Sequence, residues 1–162
     1  MHFALLVEII ILLAVANGMP LAAKAVLGER LDRPLDVGAT FPDGRPWFGP
    51  SKTIRGVVVA IIATSLTAPL LGLQWGLGAI IAIGAIAGDL FSSFLKRRLG
   101  LAPSSMALGL DQIPESLFPL LASRMLVPLG WLDVLAGVAI FSVGNLAASR
   151  LLFRLKLRDT PY

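Results

Sequence analysis

The sequence contains no cysteine and a single histidine, His2, close to its start. Without cysteine there is no disulfide framework, no thiolate nucleophile and no cysteine metal site. One terminal histidine also nearly excludes a histidine-based zinc site and a Ser-His-Asp triad. Any chemistry must therefore use carboxylates, cations, hydroxyls and a hard metal that prefers oxygen ligands.

Charge is also scarce. Only 15% of the 162 residues are charged and 56% are hydrophobic, whereas soluble domains carry about 25% charged residues. No charge occurs between Arg55 and Asp89, which is too long an apolar run for a small soluble core. The sequence therefore predicts an integral membrane protein with one domain, residues 1–162. The net charge of +4 suits anionic headgroups or phosphates, and without a free basic domain we expect no nucleic-acid partner.

The apolar stretches predict an all-α bundle of five transmembrane helices. Residues 56–88 as one helix would be about 50 Å long, well over a bilayer core of ~30 Å, so a turn near Gln74 is the better interpretation. The predicted spans are residues 3–26, 55–72, 75–95, 112–129 and 134–152. A signal peptide is the competing interpretation of the first stretch, but no Lys or Arg precedes it.

The cations predict the orientation of the bundle. Every Lys and Arg except Arg124 lies in residues 24–55, in residues 96–111 or in the C-terminal part of the chain. Five spans put these three regions on one side, and the positive-inside rule makes that side cytoplasmic. We therefore expect a multi-pass protein of the cell membrane, with both polar loops and the C-terminus in the cytoplasm.

The first polar segment, residues 28–52, contains four prolines and four glycines, so it is a loop with turns. Pro42, Asp43 and Gly44 form a strong turn signal. A solvated connector is one interpretation. A functional loop is the other, because long ordered loops are often functional.

Asp89 is the first candidate for chemistry. It lies about 9 Å inside the cytoplasmic end of the third span, where a carboxylate is costly unless it is paired or binds a metal. Ser93 follows at i+4 on the same helix face and could support the same site. Neutralisation by Arg97 or Arg98 is the alternative.

Asp111 and Glu115 form a second acidic pair, at i and i+4, where the fourth span begins. Asp111 could simply be the helix N-cap. Its position at the same membrane face as Asp89 favours another interpretation, because acids from two helices can clasp one Mg²⁺ together with substrate phosphates.

The nearby cations have two interpretations as well. Lys96, Arg97 and Arg98 could only anchor the topology, or they could bind phosphate beside the acids. Lys52 and Arg55 open the second span, where a helix N-terminus adds its own preference for anions. The P-loop spacing is absent, so no Walker-type site is predicted.

Three stretches together resemble the CDP-archaeol synthase family, small relatives of the CTP:phosphatidate cytidylyltransferases. They are ANGMP at 16–20, DVGATFPDGRPWFGPSKTIRG at 36–56, and a region that runs from GDL at 88–90 through KRRLG at 96–100 to LDQ at 110–112. Each motif is modest, but their order and spacing between apolar spans make the resemblance fairly specific.

The resemblance implies CMP transfer from CTP to a membrane lipid phosphate, with magnesium. It also implies roles for site residues: Asp89 and Asp111 as metal ligands, Lys96 and Arg97 on phosphates, Lys52 and Arg55 on the nucleotide or lipid phosphate, and Asn17, Asp43 and Gly44 in the pocket. The larger relatives have a second aspartate after the motif that matches Leu110-Asp111, and Glu115 could replace it.

Two other functions stay open from the sequence. A small transporter or assembly subunit is one, although a transporter should place its ionisable residues near the bilayer midplane. An inactive family member is the other. The spacing Gly84-x-x-x-Gly88 permits close helix packing, either within the chain or in a homodimer.

Overall fold

A computed structural model describes residues 2–102, 105, 107 and 109–154. Within these residues the chain is all-helical, with five helices and no strand. The helices are α1 (Phe3–Leu27), α2 (Ile54–Leu70), α3 (Trp75–Arg98), α4 (Gln112–Ser123) and α5 (Trp131–Arg154). The basic tail from residue 155 onward, which we expect in the cytoplasm, lies outside the described residues. The predicted fold class is confirmed.

The helix ends follow local sequence signals. Thr53 caps α2, because its hydroxyl accepts a hydrogen bond from the backbone N–H of Gly56 at 3.2 Å. Gly72, at φ +77°, makes the tight turn between α2 and α3 that the length argument predicts. By length and composition α1, α3 and α5 can each cross a membrane, and α2 is a shorter apolar helix of 17 residues.

α4 is shorter than the span predicted at 112–129. It has 12 residues, or about 18 Å, and it ends at Ser123. The carbonyl of Ser123 accepts hydrogen bonds from the N–H groups of Leu126 and Val127, both at 2.9 Å. Pro128 then disfavours helical geometry at the residue before it. The chain reaches α5 through this irregular segment.

The core is built along α1 and α3. Lipid tails are as apolar as leucine, so close packing rather than exclusion of water holds helices together in a membrane. The buried apolar residues of these two helices include Leu6, Ile9, Leu12, Leu13, Ala16, Leu77, Ile81, Ala82 and Ala85. α3 lies centrally, because it contacts α1, α2 and α4.

Two of the four glycines of α3, Gly84 and Gly88, lie directly against the backbone of α4. A Cβ at Gly84 would lie 2.6 Å from the Cα of Pro119, and one at Gly88 would overlap the carbonyl of Pro114. Packing within the chain therefore explains the Gly84-x-x-x-Gly88 spacing. It no longer argues for a homodimer face.

The loop between α1 and α2 is ordered by polar contacts, around a partly exposed Asp36 and a buried Arg55. Asp36 accepts hydrogen bonds from the N–H groups of Gly38, Phe48 and Gly49. Arg55, which is buried, donates to the carbonyls of Gly28 and Arg30 and pairs with Asp32 at 2.8 Å. This loop is thus a folded element rather than a loose connector.

Candidate active site

The closest approach of α3 to α4 creates the site. Gly88 has no side chain, so the backbone of Pro114 can lie directly against it. This contact places Asp89, the next residue of α3, against Glu115, the next residue of α4, and their carboxyl groups are within hydrogen-bonding distance. Two bare carboxylates repel each other, so this contact requires a proton or a cation between them.

Each aspartate also pairs with a lysine. The ammonium of Lys52 lies 2.6 Å from both carboxylate oxygens of Asp89. The ammonium of Lys96 lies 2.6 Å from Asp111. All four side chains are partly buried, with exposed fractions from 10% for Lys96 to 28% for Asp89. Three separate segments of the chain, the α1–α2 loop, α3 and the start of α4, therefore meet in one charged cluster.

The field of this cluster acts on Lys52, which lies in the loop. Burial disfavours its charged form, but the Asp89 carboxylate outweighs that effect and Glu115 and Asp111 add to it. The pKa of Lys52 is therefore raised above its ordinary value of 10.5. Lys52 is a firmly charged ammonium, suited to an anion or an acid partner.

Asp111 is not a capping residue in the predicted sense. Its side chain makes no capping bond to α4. Instead it accepts a hydrogen bond from the N–H of Ala107 at 3.1 Å and pairs with Lys96. The carboxylate thus ties the loop before α4 to the end of α3.

The donor set fits a divalent metal held together with phosphates. No group of three His, Cys, Asp or Glu side chains in the described part of the chain converges on one point, so the predicted set of Asp89, Asp111 and Glu115 does not form a cage around one ion. The Asp89–Glu115 pair still supplies hard oxygen donors from two helices. Magnesium is commonly bound by one or two carboxylates plus substrate phosphates, and this pair suits that mode.

Three other predicted site residues have no described contact with the cluster. Asn17 donates to the carbonyl of Leu13 within α1, and no described contact joins it to the acids. Arg55 anchors the loop to α2 through Asp32. Ser93 is buried on the Asp89 face of α3.

The turn predicted at Asp43 and Gly44 faces the end of α3. Gly44 adopts φ +78°, and Asp43 pairs with Arg98 at 2.6 Å. Arg98 is therefore engaged by the protein itself. Asp43 and Arg98 bind the loop to the helix and Gly44 forms the turn, and no described contact joins these residues to the acid–lysine cluster.

Arg97 lines a cavity of about 310 Å³ at the end of α3. It is buried and donates to the carbonyl of Ala102 at 2.8 Å. Arg45 lines the same cavity. Arg45 was missed as a site residue, although it stands inside the Asp43-Gly44-Arg45-Pro46 turn motif that the sequence shows plainly.

An apolar groove of about 440 Å³ lies between α4 and α5. Its walls include Ile113 and Leu117 from α4, and Leu135, Val138 and Ala139 from α5. Ile113 and Leu117 are each two residues from Glu115, which puts them on the opposite face of α4 from that acid. The groove and the charged cluster therefore share α4 but lie on different faces of it, and Gly109 and Gln112 are the groove residues nearest to Asp111 in the sequence.

The fold and the site together define the class: an integral membrane protein with a charged site at one end of its helical bundle. The family model described as CarS-like CDP-archaeol synthase matches residues 74–162. Relatives named CDP-archaeol synthase are 36% identical in Pyrobaculum calidifontis, over 91% of this chain and 91% of the relative, and 36% identical in Aeropyrum pernix, over 91% and 86%.

A solved structure is similar as well. It is described as an intramembrane enzyme for archaeal membrane lipids biosynthesis, with 36% identity and a TM-score of 0.69, and the match covers 85% of this chain and 90% of that one. The chain belongs to the CDP-archaeol synthase family. The resemblance stated from the sequence is confirmed.

Proposed function

We propose that this chain transfers CMP from CTP to a membrane lipid phosphate, giving a CDP-activated lipid and pyrophosphate. The observation that carries the proposal is the cluster of Lys52–Asp89 and Lys96–Asp111 pairs beside Glu115, where acids and cations from two helices and a loop meet. Family membership supports the same conclusion, because the relatives are named CDP-archaeol synthase.

The reaction needs no protein nucleophile. An oxygen of the lipid phosphate attacks the α-phosphorus of CTP, a new P–O bond forms, the α–β bridging bond breaks and pyrophosphate leaves. The protein has to bring two phosphates together and offset their charge. Lys52 and Lys96 lie on either side of the acids and can turn from the aspartates to the phosphates when substrate binds.

We propose that magnesium is held by Asp89 with Glu115 or Asp111. When bound, it supplies Lewis-acid polarisation of the phosphates. The lysines neutralise both aspartates in this structure. With the carboxylates engaged by magnesium, the ammonium groups of Lys52 and Lys96 would be free to contact phosphates. Arg97, over its neighbouring cavity, is a further phosphate ligand in this proposal.

The groove between α4 and α5 is proposed to hold a hydrocarbon chain of the acceptor. Its described walls are almost entirely apolar, and its lining residues Gly109 and Gln112 stand on either side of Asp111 in the sequence. A lipid that lies there would present its phosphate to the lysines. Diacyl, diether and isoprenoid acceptors all meet these requirements.

The active site is proposed to face the cytoplasm, where CTP is dissolved. The α1–α2 loop contacts the C-terminal half of α3 through Lys52–Asp89 and Arg98–Asp43, and the second polar loop follows α3 directly. Both loops therefore lie at one end of the bundle, and most cations cluster there. A reporter fused to the C-terminus should read as cytoplasmic. An external signal would overturn this orientation.

The decisive test uses the purified chain with magnesium, labelled CTP and a panel of diacyl, diether and isoprenoid phosphates. We expect a labelled CDP-lipid with at least one acceptor and pyrophosphate in equal amount. Absence of any CDP-lipid across the panel, from protein that is folded and monodisperse, would contradict the proposal. That outcome would favour an inactive family member.

A further inference from the structure

The end of α3 and residues 41–47, here called the 41–47 turn, hold each other through two arginines. Arg98, the last residue of α3, donates to Asp43 and to the carbonyl of Pro46, both at 2.6 Å. Arg45 donates in the other direction, to the carbonyls of Arg97 at 3.1 Å and Arg98 at 2.8 Å. The last carbonyls of a helix lack partners within it and favour cations. The contacts are reciprocal: Arg98 of the helix binds the turn, and Arg45 of the turn binds the last carbonyls of the helix.

Aromatic rings enclose the Arg98 guanidinium. Its central carbon lies 4.5 Å from the ring centre of Phe41 and 5.1 Å from that of Phe94, within the range of a cation–π interaction. Phe41 and Phe94 are in edge-to-face contact at 5.6 Å, and Trp47 packs edge-to-face on Phe41 at 5.0 Å. The side chain of Arg98 is only 17% exposed. Its planar group is used by the turn and is not available to a phosphate.

A short series of hydrogen bonds, two of them to the side chain of Asp36, connects this turn to Lys52. The N–H groups of Phe48 and Gly49, just after the turn, donate to Asp36 at 3.1 and 2.9 Å. The N–H of Lys52 donates to the carbonyl of Gly49 at 3.3 Å, and the carbonyl of Lys52 accepts from Leu35 at 2.7 Å. A displacement of the turn therefore reaches the backbone that carries Lys52.

We propose that Arg98 is a positioning residue that sets Lys52 against Asp89 by fastening the 41–47 turn to α3. The inference rests on the proposed function, in which Lys52 passes from Asp89 to substrate phosphate. In this proposal Arg98 holds the loop in place, whereas its charge alone would suggest that it binds phosphate. Asp43 is the partner through which it acts.

The first test is structural and needs no substrate. Amide hydrogen exchange is measured on the purified full-length chain for residues 39–49, in wild type, Arg98→Gln, Arg98→Lys and Asp43→Asn. We expect faster exchange in all three variants. Arg98→Gln and Asp43→Asn each remove one charge of the pair, and in Arg98→Lys the lysine cannot reproduce the planar fork or the stacking of arginine. The exposed Arg33, whose side chain has no described contact, gives the matched control Arg33→Gln with unchanged exchange. Wild-type protection in the Arg98 variants would overturn the proposal.

The second test measures CDP-lipid formation. Displacing Lys52 should lower kcat/KM for CTP by about 10- to 100-fold in Arg98→Gln, in Arg98→Lys and in Asp43→Asn. In a Lys52→Gln background, Arg98→Gln should cause no further loss, because both act through the same ammonium. Thermal unfolding of the helical bundle serves as the control for folding.

If Arg98 bound phosphate directly, the activities of the variants would follow a different pattern. Arg98→Lys would keep most activity, Asp43→Asn would leave activity unchanged by freeing the guanidinium, and the Lys52 and Arg98 losses would add. Any of these outcomes overturns the positioning role. If wild type makes no CDP-lipid at all, the proposed function fails while the exchange experiment still decides whether Arg98 orders the loop.

Discussion

The ammonium of Lys52 lies 2.6 Å from each carboxylate oxygen of Asp89. This pair joins the end of the α1–α2 loop to the middle of the charged cluster, across 37 positions of sequence. It gives a carboxylate inside a membrane helix the partner that it needs. It also keeps a cation close to the place where the proposed reaction requires a metal and phosphates.

Replacing Asp89 by asparagine tests the metal site. Asn keeps the shape but loses the charge that attracts magnesium and Lys52. We expect CDP-lipid formation to fall by about 100-fold or more while the protein remains folded, as measured with labelled CTP and size-exclusion chromatography. The exposed Glu29 has no described side-chain contact, so Glu29→Gln should retain activity. Full activity in Asp89→Asn would refute its assignment as a metal ligand.

The Lys96–Asp111 pair can be tested with a double-mutant cycle. Both side chains are mostly buried, so each single change, Lys96→Gln or Asp111→Asn, leaves a charge without its partner. We expect the double variant to be less destabilised than the sum of the two, with a coupling of about 0.5–3 kcal/mol. Thermal unfolding in detergent measures the coupling. Lys96→Gln combined with Glu29→Gln should be additive, and a zero coupling for the first pair would contradict the observed contact.

Much of this fold could be predicted from composition and length alone. The long run without charge forces membrane helices, and Gly72 marks the turn that divides it. The end of α4 at Ser123 could not be predicted, because the apolar residues after it are compatible with a longer span. The helix ends there because the chain makes a turn in which the Ser123 carbonyl accepts hydrogen bonds from Leu126 and Val127, and Pro128 follows.

The site was predicted in part. Asp89 is a candidate from the sequence because an acid is costly in a membrane, and Asp111 is a candidate because it begins the next span at the same membrane face. Which cation meets which acid depends on tertiary packing, and sequence distance is no guide to it. Arg98 is nine residues after Asp89 but turns to Asp43, while Lys52, far away in sequence, reaches Asp89. From the sequence, every Lys and Arg near the acids could bind phosphate. In the structure, some of these cations instead hold the loop in place, as Arg98 does through Asp43.

The contact of Gly88 with Pro114 makes a sharp prediction about packing. A methyl group at position 88 would overlap the backbone of α4, so Gly88→Ala should lower the free energy of unfolding by about 1–3 kcal/mol or more. Gly18 is also helical but has nothing within 4 Å of an added Cβ, so Gly18→Ala is the matched control and should be neutral or stabilising. Thermal unfolding compares the two. Equal stability would mean that α3 and α4 are less closely packed than described.

The contacts of Asp36 predict that the stability of the folded loop depends on pH. Burial raises its pKa, but the N–H groups of Gly49, Phe48 and Gly38 outweigh burial and hold the pKa below its ordinary value of 3.8. A lowered pKa means that the carboxylate stabilises the fold above pH 3.8 and that this contribution is lost as the pH falls through the lower folded value.

Asp36→Asn should therefore destabilise the protein at neutral pH, because one amide oxygen cannot replace both carboxylate oxygens. The difference from wild type should persist at about pH 5 and shrink below about pH 3. Thermal unfolding at these values measures it, with Glu29→Gln as the control. A difference that does not change with pH would show that shape, rather than charge, gives Asp36 its role.

The groove between α4 and α5 predicts selectivity for the hydrocarbon part of the acceptor. Ala139 lines it, and Ala139→Phe fills part of its volume. We expect kcat/KM for a long-chain lipid phosphate to fall by about 10-fold or more, with little change for a short-chain, water-soluble acceptor that does not enter the groove. Val143 lies on the same helix, is 69% exposed and does not line the groove, so Val143→Phe should leave both rates unchanged. An equal loss for both acceptors in Ala139→Phe would place the effect in the charged cluster instead of the groove, and unchanged rates for both would place the lipid elsewhere on the bundle.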